Sequence, residues 1–309
     1  MRILILIICY YLIPFQLTAQ SDSQNILPSL KLEFGETRII NSQRWEFASV
    51  IIPTGASLIV NGGSSIFHLI VRDSLVINGR IEARQFSSDE RQEVISIPGQ
   101  SPLILKYSNS NLGGTGGYGG AGGSISGGMG AKGTKDYSGG GGGGGGRSSY
   151  RSGVNNYPGK NAIDERGATW GGGNRCGGAG GDGVLRNPNG NGGIVFLEVI
   201  GYFDGTNGLV DVSGSDGQNG LAGDQPSSPN SPYGCSSGGG GGGGGAPGGQ
   251  GGYLVGYFKG TIKNYPGVYT NGGKGGKGGI GPQYSNMGGT NGSNGQPGNH
   301  GNVFFFTNK

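Results

Sequence analysis

The sequence predicts an all-β protein, β-solenoid or β-helix-like, with a polyglycine-II-type glycine-rich layer and essentially no helix after an N-terminal leader. Three observations lead there. Short apolar runs separated by turn residues recur from residue 30 onward. A strand-like phrase returns several times. Glycine supplies 76 of the 309 residues and is phased in threes over long tracts.

Residues 1–19 read as a signal peptide. Arg2 is the charged start, an apolar run follows over 3–12, and Leu17-Thr18-Ala19 ends in a small residue suited to cleavage. The apolar run is shorter than the ~20 residues a membrane span needs. No transmembrane segment is expected, and the mature chain reads as secreted, extracellular or held at a cell surface. Residues 20–29 are polar and read as a flexible start. With 22 basic and 18 acidic residues, the charge balance gives no reason to expect nucleic acid as a partner.

Residues 30–112 form a β-rich N-terminal region. The runs LKLEF, TRII, WEFASVII, SLIV, IFHLIV, SLVI, RIEA, EVISI and LILKY follow one another, divided by Pro53-Thr54-Gly55, Asn61-Gly62-Gly63 and Asn78-Gly79. Such residues make tight turns. No window keeps a 3.6-residue apolar period.

Residues 113–309 form a glycine-rich repeat region with strand islands at 193–213, 252–270 and 302–306. GGIVFLEVIGYFDG (192–205) lines up with GGYLVGYFKG (251–260) at an offset of 59 residues (251 − 192), which Cys176 and Cys235 share (235 − 176). IFHLIVRDSLVINGRIEA (66–83) has the same pattern, and GNHGNVFFF (298–306) mirrors GNGGIVFLE (190–198). A returning phrase of strands is the mark of stacked coils sharing one core.

The glycine tracts keep a period of three. GGTGGYGGAGG and GGKGGKGGIG repeat Gly-Gly-X, and Gly289, Gly292, Gly295, Gly298 and Gly301 continue the spacing. Three is the repeat of the polyproline-II helix. A disordered tether is the competing reading, because ordering glycine costs up to ~1 kcal/mol more than ordering alanine. Order requires neighbouring extended segments to satisfy each other's backbone groups.

In an oxidising compartment the mature cysteines, Cys176 and Cys235, read as a disulfide. Two thiolates with His68 and His300 far away in sequence do not suggest a zinc site. GGAGGDGVL (177–185) fits the calcium nonapeptide, with Asp182 as its carboxylate, but no tandem copy follows and a chain this rich in glycine meets the pattern by chance. Asp182 is thus a calcium candidate on motif alone, and no cofactor is expected. Asp204, Asp211, Asp216 and Asp224 lie within one repeat. They read as turn residues rather than as a carboxylate cluster, since Asp204-Gly205 and Asp216-Gly217 are turn dipeptides. Tyr118, Tyr137, Tyr150, Tyr157 and Tyr284 are candidates for adhesive contact, because tyrosine offers area at low entropy cost. Tyr202, Tyr253 and Tyr257 read instead as strand core.

With SLIVNGGSSIFHLIVRDSLVINGRIEA, then polyglycine, then GGIVFLEV and GLVDVSG, the chain resembles secreted glycine-rich repeat surface proteins, mostly bacterial. A weaker likeness runs to phage tail-tip adhesins and to the extracellular glycine-rich region of receptor kinases. The resemblance implies an exported surface protein and carries no enzymatic activity. The expectation is a non-enzymatic structural or adhesive protein whose partners are glycans or a cell-surface or matrix protein, with self-association an option. A ligand-binding extracellular module of receptor-like type and a β-helical, lyase-like carbohydrate-active enzyme are the alternatives.

Overall fold

A computed structural model describes residues 27–40, 44–62, 66–85, 91–107, 112–120, 127–134, 138–142, 146–148, 155–157, 161–168, 178–185, 190–225, 235–283 and 288–308. Among these residues the protein is all-β, without a helix, and its main sheets are open rather than closed into a barrel.

Strands are numbered along the chain. β1 (Leu30–Lys31), β3 (Arg44–Ile52) and β5 (Phe67–Ile77) enter one sheet, while β2 (Thr37–Ile40), β4 (Ser57–Gly62) and β6 (Arg80–Gln85) enter a second. β7 (Arg91–Ile95) and β8 (Leu103–Tyr107) then make an antiparallel hairpin of their own. β9 (Gly146–Ser148) and β10 (Asn155–Tyr157) pair antiparallel, and β11 (Asn191–Gly192) lies against β6. β12 (Ile194–Val199) and β13 (Tyr202–Asp204) return to the first sheet, and β14 (Leu209–Asp211) to the second. β15 (Cys235–Ser237) joins β9. β16 (Tyr253–Phe258), β17 (Gly267–Tyr269) and β18 (Asn302–Thr307) extend the first, second and first sheets in turn.

The first sheet therefore runs β1-β3-β5-β12-β16-β18 and the second β2-β4-β6-β14-β17, with parallel neighbours in both. The repeated phrase is the cause of this register. Ile194 pairs with Tyr253 and Val199 with Phe258, which is the 59-residue offset seen in the sequence. Val195 pairs with Phe67 and Tyr253 with Asn302, so the four copies are consecutive strands of one sheet. The runs IFHLIV and SLVI are not two strands but one, β5. Against β3 it carries one extra residue between Val71 and Ser74, opposite Phe47–Ser49, so the break in the run is a bulge within β5.

The two sheets enclose the main core. Val50, Ile52, Leu69, Val71, Leu75, Val195, Leu197, Val199, Leu254 and Phe258 face Leu58, Val60, Ile81 and Val210 across it. Each such side chain contributes roughly 1.5–3 kcal/mol when fully buried. The outer face of the first sheet carries a second cluster. Ile194, Phe196, Val255 and Tyr257 are covered there by Ile95, Ile97 and Leu105 from the hairpin and the turn after β7. Burial on both faces explains why IVFLEV and YLVGYF are almost continuously apolar rather than alternating.

The glycine tracts are extended segments laid side by side. Segment 238–252 is buried along its whole length. Successive residues send their N–H groups to different neighbours: Gly243 to Leu221, Gly244 to Gly139 and Gly245 to Ser293, at 2.8, 2.8 and 3.0 Å. Its carbonyls are used as fully, Gly243 accepting from Gly279 and Gly245 from Gly114. Segments 112–120, 138–142, 178–185, 212–224, 271–281 and 289–301 surround it in this way. Every third residue repeats a direction: Gly214, Gly217, Gly220 and Gly223 donate in turn to Asn271, Lys274, Lys277 and Ile280. A side chain cannot enter at its inward-facing glycines. A Cβ on Gly243 would stand 2.0 Å from the Asp182 carbonyl oxygen, and one on Gly245 2.0 Å from that of Gly276.

Polar residues at the rim close the array. Asp216 and Asn219 accept the backbone N–H groups of Lys274 and Lys277 at 2.7 and 2.8 Å. Asn291 and Asn294 do the same for Gly281 and Gly278, both at 3.0 Å. These are donors at the margin of the array that lack a further extended neighbour, so a short polar side chain takes the place of the next carbonyl.

Candidate functional site

Polar chemistry converges on the outer face of the first sheet, beside the area the hairpin covers. Parallel register places Arg44 beside His68 and His68 beside Phe196, and two residues on it aligns Glu46, Ile70, Glu198 and Tyr257. His68 Nε2 lies 3.2 Å from Glu198 Oε2, and Lys259 Nζ lies 3.3 Å from Glu198 Oε1. The imidazole stacks on Phe196 at 4.4 Å, and Lys259 stands 5.2 Å from the centre of the Tyr257 ring. Arg72 closes the row on Glu46, its Nε donating at 2.7 Å, with Arg44 at 3.7 Å from the same carboxylate. Burial pushes the His68 imidazole below its ordinary value, and the adjacent Glu198 carboxylate offsets this only in part. A half-buried histidine held neutral against a carboxylate can exchange a proton. Within this row, however, each carboxylate is engaged by neighbouring bases.

The carboxylates singled out in the sequence are distributed among separate partners. Asp204 accepts from the Thr206 hydroxyl at 2.6 Å, the Thr206 N–H at 3.0 Å and Lys263 Nζ at 3.0 Å. Those bonds, led by the Thr206 hydroxyl, hold its carboxyl down to about 2. Asp211, on the second sheet, pairs with Arg80, accepts from Ser213 N–H at 2.9 Å and has Arg84 at 3.7 Å. Burial raises its carboxyl, but Ser213 and the two guanidinium groups more than offset that, and the net shift is downward. Asp216 caps Lys274, and Asp224 accepts the Gly240 N–H through its backbone carbonyl. Turn, capping and ion-pair duties thus account for the carboxylates of Asp204, Asp211 and Asp216, while Asp224 acts through its backbone.

Asp182 accepts the Gly167 N–H at 2.6 Å through Oδ1, while its backbone carbonyl accepts from Leu221. Its carboxylate therefore joins two glycine segments, and among the described residues no group of three His, Cys, Asp or Glu is arranged to hold a metal. Of the tyrosines, Tyr118 is exposed, its N–H donating to Thr290 Oγ1 at 2.6 Å and its carbonyl accepting from Thr290. Tyr157 pairs with Gly146 at the end of β10. Tyr137, Tyr150 and Tyr284 lie outside the described residues, as does Cys176; Cys235 opens β15 opposite Ser148.

Tyr257 is core and Tyr253 is partly buried, donating its hydroxyl to the Lys106 carbonyl at 2.5 Å and so tying the hairpin to the sheet. Tyr202 differs from the expectation: it is 37% exposed, while Phe203 and Asp204 beside it in β13 are buried. The His68–Glu198–Lys259 row was not singled out in the sequence. Its only signal is the shared even-numbered parity of Phe196 and Glu198 in one copy of the phrase and of His68 in another, which becomes meaningful once the register is known. No family model matches the chain, and no curated protein or solved structure matches it either.

Proposed function

We propose that this chain is an exported, non-enzymatic structural or adhesive surface protein. Its body is read as a β-solenoid-like stack of two parallel sheets continued by a polyglycine-II-type layer. One observation carries the reading. Segment 238–252 is buried and hydrogen-bonded on several sides, chiefly by backbone, which supports reading the described glycine segments as a packed body rather than a tether. Alternation of successive strands between the two sheets supports the solenoid part. A body of this kind displays outward side chains such as Tyr118, Lys274 and Lys277 at fixed spacing, which suits contact with glycans or a matrix or cell-surface protein.

The test is a glycan array and a panel of matrix proteins probed with the purified protein, run beside digestion of the same polysaccharides. Retention on a glycan or a surface protein without release of reducing or unsaturated ends is the expected result. The paired His68 and Glu198 favour the lyase-like alternative. Product release that disappears in Glu198→Gln establishes that alternative and overturns the proposal.

A further inference from the structure

The edges of this protein are guarded unequally. β1, at one end of the first sheet, is two residues long and ends in Lys31. β2, at the end of the second sheet, carries Arg38 bound to Glu36. The outer glycine segment 289–301 turns its glycines inward, each with a Cβ position against a carbonyl of segment 240–252. Asn, Ser, Gln and Pro residues stand between those glycines, so another glycine segment cannot be added. β17, the other edge of the second sheet, is three residues long; among the described sheet edges, the longer β18 has none of these defences. Its sequence NVFFFT holds no charge and no proline, six residues long, and it pairs with β16 with no register shift. Natural sheets blunt such edges unless they are used.

The pairing also shows which groups face outward. The Asn308 N–H donates to the Phe258 carbonyl of β16. Backbone groups alternate sides along a strand, so those of Val303, Phe305 and Thr307 face the open edge. Among the described residues none of them has a partner there.

We propose that β18 is a homodimer edge, at which the β18 of a second copy of this chain adds antiparallel across a two-fold axis normal to the sheet. Such an axis keeps each face of the sheet on its own side, so paired residues must share parity. With Phe305 on the axis, Phe305 meets Phe305 and Val303 meets Thr307, and every outward N–H and C=O exchanges a bond with the other copy. With Phe304 on the axis the Thr307 bonds are lost, which disfavours that register. A neutral strand sets no charge repulsion between copies, and pairing uses up the open edge on both. The product is therefore a closed dimer and not a fibre. One strand per copy is a small contact compared with the ~1,600 Å² of a standard interface, so the dimer is concentration-dependent.

Sedimentation velocity of the intact chain from roughly micromolar to several hundred micromolar reads the assembly; that span brackets weak association. The expected result is a monomer–dimer shift. It disappears in Val303→Pro, which removes an outward donor without touching the ladder to β16, and in Thr307→Lys, which places a charge on the edge. Far-UV circular dichroism verifies that the variants stay folded, and Thr307→Lys, at an exposed position, carries the test if Val303→Pro does not fold. Ile280→Lys, an exposed apolar position on the glycine array, leaves dimerisation unchanged. A monomer at every concentration, open-ended oligomers, or a dimer that survives in folded Thr307→Lys overturns the proposal.

Discussion

Lys263 Nζ lies 3.0 Å from Asp204 Oδ2, one 59-residue offset further along the chain. The pair joins the turn after β13 to its counterpart after β16. Because Thr206 and Lys263 hold the Asp204 carboxyl at about 2, below its unfolded value of about 3.9, its contribution is present above pH ~4. That contribution is lost as pH falls from there toward 2. Asp204→Asn lowers the thermal midpoint at pH 7 and flattens the acid limb of the midpoint-against-pH curve over that window. An unchanged acid limb contradicts the assignment.

Gly243→Ala and Gly267→Ala separate close approach from composition. A Cβ at 243 meets the Asp182 carbonyl oxygen at 2.0 Å, whereas at 267 the nearest atom is at 3.6 Å. Gly243→Ala costs upward of about 4 kcal/mol or abolishes folding, because backbone on the other side cannot yield. Gly267→Ala stays within about 1 kcal/mol. Urea unfolding of both variants measures the difference.

Asp216→Ala and Asn219→Ala each remove one cap from the rim of the array. The cost is about 0.5–1.5 kcal/mol apiece, the usual worth of a hydrogen bond. Amide exchange localises it: the Lys274 amide loses protection in the first variant and Lys277 in the second. Asp224→Ala leaves the Gly240 amide protected, since a backbone carbonyl accepts that bond.

His68 sits below its unfolded value, so the unfolded chain binds its proton first and stability falls as pH drops below about 6.5. Arg44 opposes protonation as well, while Glu198 and Glu46 favour it. His68→Phe, stacked on Phe196, removes that slope and keeps the fold. Chemical denaturation at pH 7.5, 6.5 and 5.5 reads the slope; an unaltered one in His68→Phe refutes its origin at this residue.

Much of the first sheet was legible because it is written as repetition. The alignment of residues 192–205 with 251–260 is the register of β12 on β16, and the phasing of glycine in threes is the hydrogen-bond period of the array. The runs TRII and LILKY are strands to the residue. What was illegible depends on partners remote in sequence. SLVI continues IFHLIV as one strand because β5 carries one residue more than β3 between Val71 and Ser74, a bulge that only the pairing reveals. The assembly of His68, Glu198 and Lys259 follows from the parallel register of β5, β12 and β16. The polar residues between glycines look like turn formers in isolation; Asp216 and Asn219 are caps only because segment 271–281 lies beside them.

The central position of segment 238–252 bears on how the molecule reaches its native state. Its neighbours come from as early as residue 112 and as late as residue 301. Until the last of them is present, a strip of polyglycine stays open to water and gains nothing by ordering. Contacts this distant along the chain make for slow folding. The array therefore closes as one late event, with β18 the strand laid down immediately after its final segment. A chain that emerges from its N-terminus meets this requirement only once residue 301 is present.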